Sequence, residues 1–347
     1  MYLSRFQRLA PTYAVPQADG LNWLAHAHAR HSSEVSAERF NKLLHRYGCA
    51  PDRVQQRHTF LRDFVHQNWD EMQIFTDPSQ AASIDSRMAF FKEALLSPID
   101  RFYPEKTPDF KQWIHVTCTG YVSPSVVQTL VSDRDWGQHV EVLHAYHMGC
   151  YASLPALRMA RGNFPTEILH TELCTLHLDP SRHEPEQLVS QSLFSDGVIR
   201  YRVDDVQPEQ GYEVLELREV VAPNSLAQMS WEVSASGFKM FLGREVPAFV
   251  QTGIAAVVGP WQTPQTVYAI HPGGPRIIDA VKEALGLSEE QVFFSREILR
   301  RHGNMSSATL PHVWELMLSE IPAGTPVISM AFGPGLTLSA SRMRKVG

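Results

Sequence analysis

The residue with the clearest chemical potential in this chain is a cysteine set where an extended run gives way to a helix. In HAYHMGCYASLPALRMARG (144–162), Cys150 follows the apolar run Val140 to Tyr146 and the pair Met148-Gly149. After it come Ala152, Leu154, Ala156, Leu157, Met159 and Ala160, mostly strong helix formers. A thiol beside the unpaired N–H groups and positive end of a helix is favoured as thiolate, the form that attacks. A free cysteine is more often a small buried apolar side chain. That plainer role is expected for Cys118 and Cys174, inside extended runs, while Cys49 sits in a turn.

Two further stretches offer partners for a nucleophilic sulfur. AIHPGGP puts His271 at the end of an extended run, with Gly273 and Gly274 allowing close backbone approach. An imidazole there can pair with a thiolate or donate to an oxyanion. HGNMSSA places Asn304 at a helix start, where it is either an N-cap or an amide donor to a developing enolate oxygen. FGPGL, containing Gly333 and Pro334, reads by itself as a hairpin turn.

The elements that must position these groups alternate in type. AERFNKLLHRYG (37–48) and SRMAFFKEALLSP (86–98) repeat apolar residues at helical steps, after a short strand at PTYAVP. The runs QWIHVTCTG, VEVLHAYHMG, TEILHTELCTLHL and LFSDGVIRYRV read as strands. In the second half QTVYAI runs into HPGGP, PRIIDAVKEALGL is an amphipathic helix, and SEEQVFFSREILRRHG opens with Ser288 and Gln291 at capping-box spacing. NMSSATLPHVWELML is a further helix, and PVISMAFGPGLTLSAS two strands about a turn. This alternation predicts an α/β architecture, with a boundary in the polar DDVQPEQG (204–211).

The 347 residues suffice for two domains, and the hydrophobic share of 44% with 20% charged residues is that of a globular chain. A net charge of −6 with no basic run gives no footprint for nucleic acid. The start of the chain lacks a signal-peptide core and no run of about 18 apolar residues is present, so a cytoplasmic protein with no membrane span and reduced thiols is expected. No cysteine spacing predicts a metal site.

Taken in order, MGCYASLPALRMARG, LFSDG, AIHPGGP, HGNMSSA and AFGPGLT resemble the type III polyketide synthases, the chalcone-synthase-like family. YAVPQ, RHTFL and VTCTGYVSPS fit the bacterial branch, so the resemblance spans nearly the whole chain. It implies a thiolase-like fold of two similar α/β halves in a layered αβαβα core, residues 1–205 carrying the nucleophile and 206–347 the histidine and asparagine. It implies a homodimer that takes acyl-CoA and malonyl-CoA as substrates, binds no cofactor, and forms pyrone- or resorcinol-type products by decarboxylative condensation.

By motif match Cys150 resembles the acyl-accepting nucleophile, and His271 and Asn304 the pair that holds the thioester carbonyl. Phe194 matches an aromatic gate, and Met240 falls where a second gate aromatic is expected. His177, Cys174, Gly333 and Pro334 match cavity positions, and Arg276 a contact to coenzyme A phosphates. Gln55 and Gln56 stand where lysines are expected, which leaves an acyl carrier protein as an alternative donor, and Ala331 replaces a glycine. The nearest rival is a ketoacyl-synthase-III-like enzyme making a single or chain-joining condensation on carrier-protein thioesters.

Overall fold

The computed structural model describes residues 1–77 and 82–347. The first half of the chain runs β1 (Tyr2–Leu9), β2 (Tyr13–Pro16), α1 (Gln17–Arg30), α2 (Ala37–Tyr47), β3 (Gln56–Thr59), α3 (Ile84–Phe102), β4 (Gln112–Thr117), α4 (Val126–Asp133), β5 (Glu141–Tyr146), α5 (Ser153–Ala160), β6 (Thr166–Leu173), α6 (Pro185–Leu193) and β7 (Asp196–Asp204). The second half runs β8 (Gly211–Val221), β9 (Met229–Ser234), β10 (Gly237–Leu242), α7 (Val246–Val258), β11 (Val267–Ile270), α8 (Pro275–Leu285), α9 (Glu289–His302), α10 (Thr309–Glu320), β12 (Pro326–Gly333) and β13 (Thr337–Val346).

Nine of the strands form one sheet in the order β11-β12-β13-β8-β1-β7-β6-β4-β5. Its two ends repeat a pattern. In the first half β4 is parallel to β6, β6 antiparallel to β7, and β7 antiparallel to β1. In the second, β11 is parallel to β12, β12 antiparallel to β13, and β13 antiparallel to β8. The seam between them is short: Tyr2 opposes Glu213 and Leu3 opposes Tyr212.

The chain folds over at that seam. α5 packs on both β4 and β13, and α10 on β11, β1 and β7, so the two helices lie between the half-sheets. They can do so because they are apolar almost all round, as a helix covered on both sides must be. Leu154, Ala156, Leu157, Leu310, Val313 and Trp314 are fully buried there, against Ile114, Ile199, Val327 and Met343 from both half-sheets. Separate cores lie outside: α1 to α4 over the first half-sheet, α7 to α9 over the second. The layered α/β fold with two similar halves is therefore present.

Some expectations shift in detail. The Ser288–Gln291 capping box forms, with Ser288 accepting from the Gln291 N–H and Gln291 from the Ser288 N–H. α3 continues through Pro98 to Phe102, because Leu95 and Ile99, which flank the proline on one face, are buried. β1 was not legible as a strand; YLSRFQRL alternates poorly and owes its form to backbone pairing with strands on either side. The β9–β10 hairpin stands apart as a two-stranded sheet that packs on α6 and α3.

Candidate active site

Cys150 sits in the turn between β5 and α5, where His147 and Gly149 have φ of 59° and 86°. The left-handed backbone at Gly149 favours glycine, and the space does too: a Cβ there would lie 2.5 Å from Cδ of Pro334. A Cβ at Gly333 would lie 2.1 Å from the Tyr151 ring. The FGPGL turn is thus packed against the cysteine turn, and its glycine serves close approach. Cys118, just past β4, holds the same turn by its sulfur. The Gly149 N–H donates to it at 3.1 Å and its S–H donates to the Gly149 carbonyl at 3.3 Å.

His271 extends β11, its N–H donating to the Met330 carbonyl at 2.8 Å. The ring is buried, and neither nitrogen has a hydrogen-bond partner among the described residues. Asn304 follows α9. Its Oδ1 accepts from the Ser306 N–H at 2.9 Å, which fixes the amide so that Nδ2 faces Gly273, whose carbonyl it meets at 3.3 Å. Asn304 therefore keeps an N–H to spare. Ser306, with φ of 49°, brings its hydroxyl to 3.9 Å from the Cys150 sulfur.

These groups meet in one hollow. Cys150, His271 and Asn304 line a cavity with Ile277, Leu242 and Phe332. A second cavity opens on the other side of Cys150, among Cys118, Cys174, His177, Trp231, Phe238 and Pro334. Phe194, Met229 and Met240 border both, so they form the neck between them. Sulfur is prominent in these walls.

Burial disfavours charge on both reacting groups. Burial pushes the Cys150 thiol up to about 12; the Ser306 hydroxyl opposes this, Glu172 adds to it, and the Asn304 amide opposes it. Burial pushes His271 down to about 3. Burial in this cavity thus works against both charges of a thiolate–imidazolium pair, and the Ser306 and Asn304 donors work for the thiolate. Cys150 is nevertheless the one half-buried thiol of the four.

Of the residues singled out from sequence, Cys150, His271, Asn304, Phe194, Met240, His177, Cys174 and Pro334 line these cavities. Gly333 and Arg276 line neither. Ala331 packs in the central core and lines neither cavity. His177 has both nitrogens engaged, with Nε2 2.7 Å from the Thr119 carbonyl and Nδ1 3.3 Å from the Phe238 N–H. Its ring stacks on Phe238 at 4.3 Å. It is a clasp for the hairpin as well as a wall.

Arg276 is exposed at the start of α8. Nearby, Arg296 is paired with Asp279 and Glu289, and Arg300 with Glu297 and Gln55. Sequence reasoning missed Ser306, the grip of Cys118 and the buried Glu172. The one signal for Glu172 was a carboxylate, the second after Glu167, inside the strand-like run TEILHTELCTLHL.

No group of three or more His, Cys, Asp or Glu able to hold a metal occurs among the described residues, and no helix there is long and apolar enough to cross a membrane. Residues 216–347 match the family described as chalcone and stilbene synthases, C-terminal domain. A putative chalcone synthase of Bacillus subtilis (strain 168) is 27% identical over 247 residues, covering 65% of this chain and 67% of that protein. The alpha-pyrone synthesis polyketide synthase-like Pks18 of Mycobacterium tuberculosis is 27% identical over 290 residues, covering 75% of this chain and 73% of its own.

The solved structure of 1,3,6,8-tetrahydroxynaphthalene synthase from Streptomyces coelicolor A3(2), a bacterial type III polyketide synthase, superposes over the full length of both chains. Its TM-score is 0.82 at 22% identity, a likeness of fold. In its matched C-terminal stretch, in its curated relatives and in its layered fold, the chain is similar to the type III polyketide synthases, the chalcone-synthase-like family.

Proposed function

We propose that the chain extends an acyl starter by repeated decarboxylative condensation with malonyl-CoA, and that Cys150, His271 and Asn304 carry the reaction. The observation that carries this reading is their convergence on one cavity, joined at Cys150 to a second. In the first step the Cys150 sulfur attacks the carbonyl of an acyl-CoA, the proton passes to His271, and coenzyme A leaves as the free thiol with that proton. Malonyl-CoA then occupies the His271 side. The ring N–H and the spare Asn304 N–H donate to its thioester oxygen, the bond to the carboxylate breaks, and CO2 departs. The enolate left behind is held by the two donors.

Its carbon attacks the Cys150 thioester, a carbon–carbon bond forms, and the sulfur leaves as thiolate. The product is a β-ketoacyl-CoA two carbons longer, which returns to Cys150 for another round. The second cavity, walled by Cys174, His177, Trp231 and Phe238, takes the growing chain, and Phe194 and Met240 guard the neck. Ring closure gives a pyrone- or resorcinol-type product. Arg276 is assigned to the coenzyme A phosphates, outside the cavities. Preorganised donors of this kind are worth about 3 kcal/mol each in a water-poor site.

A homodimer is part of this reading. β5 ends the sheet, with Leu143 on it and Tyr121 nearby both exposed, and an open strand edge invites pairing with a second copy. Sedimentation of the purified chain checks it: a species of 39.2 kDa mass would reject the dimer.

The activity is tested by incubating purified protein with malonyl-CoA and a series of acyl-CoA starters and weighing the products. Several added two-carbon units are expected. A single β-ketoacyl product from every starter would return the assignment to a one-step condensing enzyme.

A further inference from the structure

The β9–β10 hairpin walls the second cavity, yet it pairs with no strand of the main sheet, so side chains must hold it. β10 has the His177 clasp at Phe238. β9 has a hold of its own, and it comes from the turn that carries Cys150. His147 Nε2 lies 2.6 Å from the Trp231 carbonyl oxygen. A carbonyl only accepts, so Nε2 carries the hydrogen and donates it. The same ring meets Phe238 edge to face at 5.3 Å. Its Nδ1 is buried and has no hydrogen-bond partner among the described residues, so the bond to Trp231 is the one polar tie of the ring.

The Trp231 side chain closes a circuit. Its indole N–H donates to the Cys118 carbonyl at 2.8 Å, and the Cys118 sulfur accepts from the Gly149 N–H at 3.1 Å. Gly149 lies two residues after His147 and one before Cys150, so the ring of contacts returns to the turn it left. Cys118 is itself anchored, its N–H donating to the buried Glu172 carboxylate at 3.0 and 3.1 Å. His147 has φ of 59°, a left-handed backbone that a residue with a Cβ seldom adopts and that lasts only where its surroundings fix it. None of the reaction steps above uses this imidazole. We propose that His147 is a positioning residue for chain growth: by tying the Trp231 wall to the Cys150 turn, it fixes the depth of the second cavity relative to the sulfur and so limits the number of extensions.

This inference rests on the proposed extension from Cys150, and its readout is a ratio that does not depend on how much enzyme is active. Wild type, His147→Phe and His147→Gln are each given hexanoyl-CoA and malonyl-CoA, and the products are weighed. The quantity read is the ratio of products longer than the main wild-type product to that product. Phenylalanine keeps a ring but has no N–H, so the wall is released and the ratio is expected to rise about fivefold, the equilibrium worth of one ordinary hydrogen bond. Glutamine carries an amide N–H to the reach of Nε2 and should restore the wild-type ratio. If His147 acts through Trp231, the two sites are coupled. In a Trp231→Ala background, which has already lost the wall, His147→Phe should then shift the ratio by less than about twofold.

An unchanged or lowered ratio in His147→Phe overturns the proposal, as does a raised ratio in His147→Gln or a shift of full size in the Trp231→Ala background. Should His147→Phe fail to fold, His147→Asn takes its place with the same expectation, since asparagine suits a left-handed backbone and its amide is too short to reach the carbonyl. Failure of the extension reading shows differently, as wild-type protein that makes no product from the two thioesters.

Discussion

Phe194 and Asn304 are bridged backbone to backbone. The Asn304 N–H donates to the Leu193 carbonyl at 2.9 Å, and the Ser195 N–H to the Asn304 carbonyl at 2.9 Å, forming a parallel bridge. The aromatic ring at the neck and the amide proposed to hold the enolate are thus mounted on one rigid piece. Because the bridge uses only main-chain atoms, side-chain changes at either residue leave it standing.

Asn304→Ala should therefore keep the main-chain bridge, while the Ser306 N–H loses its Oδ1 partner. Malonyl decarboxylation is expected to fall by about 10²–10³-fold, the usual loss of one oxyanion donor. Acyl loading of Cys150 should persist, as read by intact-protein mass. Equal loss of both steps would mean the amide does something other than stabilise the enolate.

Stability should fall on mild acidification. His28, His115, His170, His177, His271 and His312 are held near 3, chiefly by burial. Their values in the unfolded chain are near 6.5, so below that pH the unfolded state takes up protons the fold refuses. The stabilisation is complete above about pH 6.5 and is lost as pH falls toward 3, each ring contributing up to about 1.4 kcal/mol per pH unit. A urea midpoint that stays level between pH 7 and 5 would contradict this.

His177→Ala should release the β9–β10 hairpin. The substitution leaves the Thr119 carbonyl and the Phe238 N–H without their partner and removes a stacked ring. Each such loss costs about 1–3 kcal/mol when buried. Amide hydrogen exchange over Met229–Leu242 should quicken and the product chain length should shift, while Cys150 still loads. Exchange at the wild-type rate would show that the hairpin is held by other contacts.

Gly149→Ala should abolish condensation. The residue has φ of 86°, and the new methyl would press on the Pro334 ring. The turn that carries Cys150 must move, and misplacement by about 1 Å can cost 10²-fold. A Gly149→Ala protein of normal activity would mean the turn is loose enough to absorb the clash.

The sequence made the reacting trio legible because each member ends an element. A cysteine before a helix, a histidine after a strand and an asparagine at an expected helix start stand out against periodic surroundings. The spatial partners were harder to read. Glu172 takes its partners from residues 53 to 135 positions away, and its local mark is slight, a carboxylate in a strand-like run. The hairpin β9–β10 and helix α7 were missed because SWEVSASGFKMFL carries no break between its strands beyond one glycine. Helix position at Cys150 was visible in the sequence, and the desolvation that works against its charge was not.

The chamber's lining has a cost in air. Cys118, Cys150, Cys174, Met229 and Met240 all face it, a soft and adaptable surface for an acyl chain but an oxidisable one. A peroxide small enough to enter would turn the two thioethers at the neck into polar sulfoxides and close the passage to greasy substrates, even with the nucleophile intact. Loss of activity on ageing would then be recovered by methionine sulfoxide reductase, and not by a thiol reductant alone.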